Sequence, residues 1–419
     1  MSLESLSQSS ISSTSSDTPI LGVPLQSTTN KTLKTVLSDS WINLLYLLFV
    51  FIPLGYLAHG LKWNGTWIFI LNFLAIIPST RLIVFVIKDI CLRADQSVGG
   101  LLNATFGNAV EIIVSIIALK EGKITVVQAF ILGSIISNLL LVLGLSFVAG
   151  GILHKKQEFN KTAAQTSSSL MTLACIGLII PAAFISFADK IKTSSNDKRH
   201  EEELINLSRG AAIVLLIIYI LYLLFQSKTH THLYQDEGVI EDDEQPQLTL
   251  IVSLLLLVVV TVAIIFSAEY LVDSIEGIGK NSGLNKIFVS LILLPIATNA
   301  TVHTVTATTL KNEMNLAINY AVGNSMQIAL FVSPLLVILG WIIGQQMTLF
   351  FKTFETIALF ISVLITNYLI QDGESNWLEV NLVLSVTHAS TNTHIFIKYT
   401  HLVIITFIRL STFSRVKYE

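Results

Sequence analysis

Ten stretches of this chain are apolar for long enough to cross a bilayer, and a short acidic segment divides them into two sets. The first set runs Ile42–Ala58, Trp67–Ile87, Leu101–Leu119, Val126–Gly150, Ser167–Phe187 and Ala211–Phe225. The second runs Leu248–Ala268, Ile287–Leu310, Ala317–Gly344 and Phe354–Ile370. Each approaches the roughly 20 residues a spanning helix needs. Lipid offers no partner to a bare peptide group, so such runs predict helices. Residues 1–40 are rich in Ser and Thr and lack an apolar signal-peptide core, which predicts a disordered tail. Residues 41–225 then hold a first helix and a first transmembrane repeat, and residues 248–378 a second repeat. Between them, residues 226–247 form a linker carrying Asp236, Glu237, Glu241, Asp242, Asp243 and Glu244. Residues 379–419 diverge from the pattern.

Composition gives the same class. The 419 residues are 52% hydrophobic and 13% charged, with a mean hydropathy of +0.70, which excludes an ordinary soluble domain. The expectation is an all-α polytopic membrane protein with membrane lipid as its first partner. A net charge of -3 gives no basis for binding nucleic acid. Cys91 and Cys175 lie in or beside apolar segments and do not suggest a disulfide framework. No G-x-S-x-G, H-E-x-x-H or phosphate loop is present, so a transporter is expected and an enzyme is not.

The chemistry lies in the polar residues placed at membrane depth. Leu101–Leu119 is nearly all apolar but contains Asn103, Asn108, Glu111 and Ser115. A charge there costs about 2.5–3.5 kcal/mol on insertion scales and normally faces a cavity or a partner. Gly107 and Asn108 just before it would loosen the helix and free carbonyls to line that cavity. The competing reading is a glutamate that snorkels to the headgroups.

The two sets also resemble each other. Asn108-Ala109 followed by Leu119-Lys120 recurs as Asn299-Ala300 followed by Leu310-Lys311, about 190 residues later. Gly133-Ser134-Ile135-Ile136-Ser137-Asn138 recurs as Gly323-Asn324-Ser325-Met326-Gln327. Five spans per repeat would send the second copy through the membrane in the opposite sense, so about 10–11 helices in two inverted repeats are expected.

The run from Gly99 to Glu111 resembles the first signature helix of the Ca²⁺/H⁺ exchangers, a branch of the calcium:cation antiporter superfamily. Gly133 to Gly144 is similar to the helix that follows it, and Ala321 to Phe331 to the matching part of the second half. Lys228 to Tyr234 and the acidic run after it resemble the linker of fungal vacuolar members. This resemblance implies an eleven-helix exchanger of a vacuolar-type membrane, with the linker in the cytosol. It would carry Ca²⁺ and H⁺ and need no cofactor. Glu111 would be the metal-binding carboxylate shared by cation and proton, with Asn108, Asn299, Ser325, Gln327 and a loosened turn at Gly107 around it. The amides would serve equally well as helix–helix contacts. Glu269, His303, Ser137 and Asn138 are candidates for the ion route or its regulation. Glu269 reads equally as a solvated carboxylate at a helix end.

Three departures stand out. Val302 occupies the position that matches Glu111, which removes a second carboxylate. Lys88 stands where the family is acidic, with Asp89 after it and Arg81 seven residues before. Asp89 or Glu111 is the expected partner of those cations, unless they snorkel. After Leu378 nothing matches. These features open an alternative, a transport-impaired paralogue that pairs with a related exchanger as a homo- or hetero-oligomer.

Overall fold

The computed structural model describes residues 39–94, 99, 102, 105–154, 156–188, 197–230, 245–282, 284–299, 314–371 and 373–375. The Ser/Thr-rich tail, most of the linker, the stretch 300–313 and the divergent end lie outside the described residues.

Helix α1 (Asp39–Gly60) is followed by α2 (Gly65–Cys91). Asn64 caps α2, its side chain accepting from Thr66 N at 3.1 Å. Buried polar residues within α2 bond to their own backbone. Asn72 donates to the Ile68 carbonyl at 2.8 Å, Ser79 to Ala75 at 2.7 Å and Thr80 to Ile76 at 2.9 Å. After α3 (Ala109–Lys120), α4 (Ile124–Ile136) passes through a π-helical stretch, Ser137–Val142, into α5 (Leu143–Leu153). A short strand β1 (Gln157–Glu158) leads to α6 (Lys161–Ala188), and α7 (Asp197–Leu224) ends in a second π stretch, Phe225–Thr229.

Helix α8 (Leu250–Ser282) opens the second half. It continues past Glu269, so the expected span Leu248–Ala268 is extended and that carboxylate lies along the helix rather than at its end. Next come α9 (Lys286–Phe288), a π stretch Val289–Leu293 and α10 (Leu294–Thr298). Helix α11 (Met314–Gln327) then runs through a π stretch, Ile328–Val332, into α12 (Ser333–Ile343). Helix α13 (Thr353–Leu369) and strand β2 (Glu374–Ser375) close the described chain. The two strands pair antiparallel, Gln157 with Ser375 and Glu158 with Glu374, a joint that a purely helical expectation lacks. Lys156 sits between Glu158 at 3.4 Å and Glu374 at 2.7 Å, and these carboxylates raise its pKa.

Among the described residues, six helices are long and apolar enough to cross a membrane by length and composition, and shorter apolar helices include Lys286–Thr298 and Thr353–Leu369. Helices α7 and α8 turn large apolar side chains outward, among them Ile217, Leu221, Leu255 and Val258, a surface suited to lipid rather than water.

Helices α2 and α8 lie side by side and run in opposite directions. Gly65 at the start of α2 faces Gly277 near the end of α8, where a Cβ on Gly65 would stand 3.3 Å from the Gly277 Cα. At the other end Asp89, fully enclosed, accepts from Gln247 N at 2.6 Å, Leu248 N at 3.2 Å and Ser253 Oγ at 2.8 Å. Arg93 pairs with Asp89 at 3.2 Å and donates to the Leu248 carbonyl. Asp89 is therefore the anchor of the segment leading into α8, binding the N–H groups of Gln247 and Leu248 and the Ser253 hydroxyl in the helix's first turn. For Arg81 the expected pairing is not found: among the described residues no ion pair joins it to Asp89 or to Glu111. Asp89→Ala is expected to cost about 3–5 kcal/mol, because it leaves Arg93 and several buried donors without their acceptor. Asp89→Asn, which keeps one acceptor, should cost less. Thermal unfolding followed by size-exclusion fluorescence measures both, and equal midpoints for wild type and Asp89→Ala would remove the anchor role.

A broken helix at a buried carboxylate

The apolar run Leu101–Leu119 is interrupted where the glycine and asparagine stand, since Gly107 and Asn108 form a turn and α3 begins at Ala109. In the run Ile287–Leu310, α10 ends at Thr298 and Asn299 turns away at φ −83°, ψ 44°, the last residue described before 314. Glu111, 5% exposed, lies in the first turn of α3, where free N–H groups and the helix dipole suit a carboxylate. The Thr298 side chain at the end of α10 lies near this carboxylate, although its hydroxyl donates to the Pro295 carbonyl at 3.4 Å.

Asn108 caps α3 in sequence position only. Its side chain makes no capping bond, and its Nδ2 donates instead to Gln327 Oε1 at 2.9 Å, reaching the end of α11 in the other half. The Asn108 Oδ1 is buried and has no hydrogen-bond partner. Ser325, fully buried, donates to the Ala321 carbonyl at 2.7 Å and lies 3.3 Å from the Ile135 carbonyl oxygen. On α4 and the stretch after it, Ser134 Oγ, Ser137 Oγ and Asn138 Nδ2 are buried without partners, as is Asn299 Nδ2 at the end of α10. Buried polar groups are nearly always satisfied, so orphans on both elements that bear the repeated motifs mark a ligand space. The π stretches at Ser137 and after Gln327 fall at matching places in the two halves, and such stretches recur at functional sites.

The structure thus joins Asn108 to Gln327, sets Thr298 near Glu111 on the same turn as Asn108, and packs Ser325 against Ile135 of the first half. Glu269 is exposed on α8, and no described contact carries it to the break. His303 and Val302 lie outside the described residues, as does Asn103. Sequence reasoning passed over Thr298. The signal was available, because Thr298 stands where Gly107 stands in the first motif and replaces a bare backbone with a hydroxyl. Where α3 turns into α4, Lys123 reaches Glu121 at 2.6 Å, the Val272 carbonyl at 2.9 Å and Asp273 at 3.6 Å, tying this turn to α8. Burial raises the Glu121 pKa there and Lys123 opposes it.

Apolar spanning helices, one of them interrupted beside a buried carboxylate, are the architecture of a membrane transporter. The comparisons give the family. Residues 64–228 and 252–386 match the sodium/calcium exchanger protein family, and the chain belongs to it. It is 43% identical over 349 residues to a vacuolar calcium ion transporter of Schizosaccharomyces pombe, covering 83% of this chain and 82% of that one. It is also 43% identical over 354 residues to a Ca²⁺/H⁺ antiporter of Aphanothece halophytica, covering 81% and 92%. Among solved structures, native YfkE aligns over 83% of this chain and 98% of its own, with a TM-score of 0.69 and 30% identity.

Proposed function

We propose that the chain is a secondary transporter, not an enzyme, that exchanges cytosolic Ca²⁺ for lumenal H⁺ across a vacuolar-type membrane, with Glu111 as the carboxylate both ions share. The observation that carries this reading is Glu111 itself, buried just after the break at Gly107-Asn108, near the end of α10, with unpartnered polar atoms on Asn108 and Asn299. A carboxylate holds a proton or a hard cation but not both, so sharing one group couples the two fluxes. Two inverted repeats would present this group alternately to each side. The antiparallel course of α2 and α8 supports that arrangement, as does the contact of Ser325 with Ile135, which occupy matching positions 190 residues apart. The names of the relatives favour calcium, protons and the vacuolar membrane. With Glu111 in the site and the linker cytosolic, the acidic run 236–244 would raise the local cation concentration at the entrance.

Val302 favours a second reading. One carboxylate leaves a divalent ion short of charge, so a transport-impaired paralogue that regulates a related exchanger by oligomerising with it is the alternative. Proton-driven ⁴⁵Ca²⁺ uptake into vesicles decides between them. Uptake by the unmodified chain supports exchange. The expected effect of Val302→Glu is then an increase in apparent Ca²⁺ affinity of about ten-fold, the size of one added charge-assisted contact. Uptake that appears only in Val302→Glu supports the regulatory reading.

A further inference from the structure

We propose that Gln327 is a positioning residue whose work is to orient the side chain of Asn108, rather than an independent ligand of the transported ion. The inference rests on the site proposed above and deepens it. A primary amide has one end that attracts a cation and one that repels it, and only its hydrogen bonds decide which end is presented. In Asn108 the NH₂ end is occupied, because Nδ2 donates to Gln327 Oε1 at 2.9 Å. The carbonyl end is buried, 0% exposed as a residue, and has no partner. Asn108 stands three residues before Glu111, at the mouth of the same broken helix. The unpaired oxygen therefore belongs to the polar set around Glu111, and the bond to Gln327 holds it that way round.

This geometry also assigns the oxygen of Gln327. Its Oε1 accepts from Asn108, which leaves Gln327 with a hydrogen-bonding task in the second half and Asn108 with the free acceptor in the first. The bond joins residues 219 apart, so the orientation of a first-half oxygen depends on where α11 sits. Without Gln327 the Asn108 amide is free to turn its NH₂ toward the cation. A carboxylate at the same place can only accept, so Gln327→Glu preserves the orientation, whereas Gln327→Leu abolishes it.

The test is a double-mutant cycle read as equilibrium ⁴⁵Ca²⁺ binding to the purified full chain, together with half-saturating Ca²⁺ and maximal rate in vesicle uptake. Gln327→Leu is expected to weaken Ca²⁺ about ten-fold in the wild-type background, chiefly through half-saturation rather than maximal rate. In an Asn108→Ala background, which has no amide to orient, the same substitution should change affinity less than about two-fold. Gln327→Glu should hold affinity at or above wild type. Effects of Asn108→Ala and Gln327→Leu that multiply overturn the positioning role while leaving Ca²⁺ exchange intact. So does an unchanged affinity in Gln327→Leu. Absence of any Ca²⁺ binding by the wild-type chain overturns the cation site and this role together, and is distinguished from the other outcomes by the wild-type measurement alone.

Discussion

Glu111→Gln is expected to abolish Ca²⁺ uptake, with binding weakened by about 100-fold or more. The substitution is nearly isosteric, so the Thr298 contact and the packing around α3 can persist while the charge is lost. Removing one partner from a buried, charge-paired site costs about 3–5 kcal/mol, and about 1.4 kcal/mol is a factor of ten in affinity. The pH dependence gives a second, independent readout. In the wild type, protons compete with Ca²⁺ for one carboxylate, so apparent affinity should fall as pH falls. Glutamine cannot take up that proton, so whatever binding remains should lose this dependence. Full uptake by Glu111→Gln, or a pH dependence identical to wild type, would place the shared group elsewhere.

The spans and the site differ in how far they could be read from the chain. Apolar length is a local property, so the six long apolar helices among the described residues and the interruption at Gly107-Asn108 stand out in the letters themselves. The partner of Asp89 does not. Beside its sequence neighbour Arg93, its carboxylate is held by the backbone N–H groups of Gln247 and Leu248, 158 and 159 residues away, in the segment that leads into α8. The π stretches at Ser137–Val142 and Ile328–Val332 carry no compositional mark, since a shift of one residue in hydrogen-bond register leaves an apolar sequence unchanged in character. Glu269 shows the opposite failure. Its position after an apolar run also suggested a helix end, but α8 runs 13 residues further with Asp273 and Glu276 also exposed. Thr298 was legible only through the repeat, as the residue that replaces Gly107.

Gly133→Ala is expected to destabilise the protein by about 3 kcal/mol or more, well above what the same change does at its counterpart Gly323. A Cβ on Gly133 would lie 2.0 Å from the Leu291 carbonyl oxygen and 2.8 Å from its Cα, so the obstacle is backbone and not a side chain that can swing aside. Among the described residues nothing lies within 4 Å of a Cβ on Gly323, which makes Gly323→Ala the control for helix propensity alone. Leu291 sits in the π stretch Val289–Leu293, directly before α10 and Thr298, while Gly133 precedes the orphan hydroxyls of Ser134 and Ser137. The crossing therefore sets the distance between the first-half polar groups and the second-half broken helix, and a shift there moves Thr298 relative to Glu111. Gly133→Ala should lower both the thermal midpoint by size-exclusion fluorescence and the Ca²⁺ affinity of the fraction that folds, whereas Gly323→Ala should leave both near wild type. Equal midpoints for the two variants would mean that the α4 crossing yields without cost. A Gly133→Ala protein that folds less well but binds Ca²⁺ normally would confine the crossing to stability and separate it from the geometry of the site.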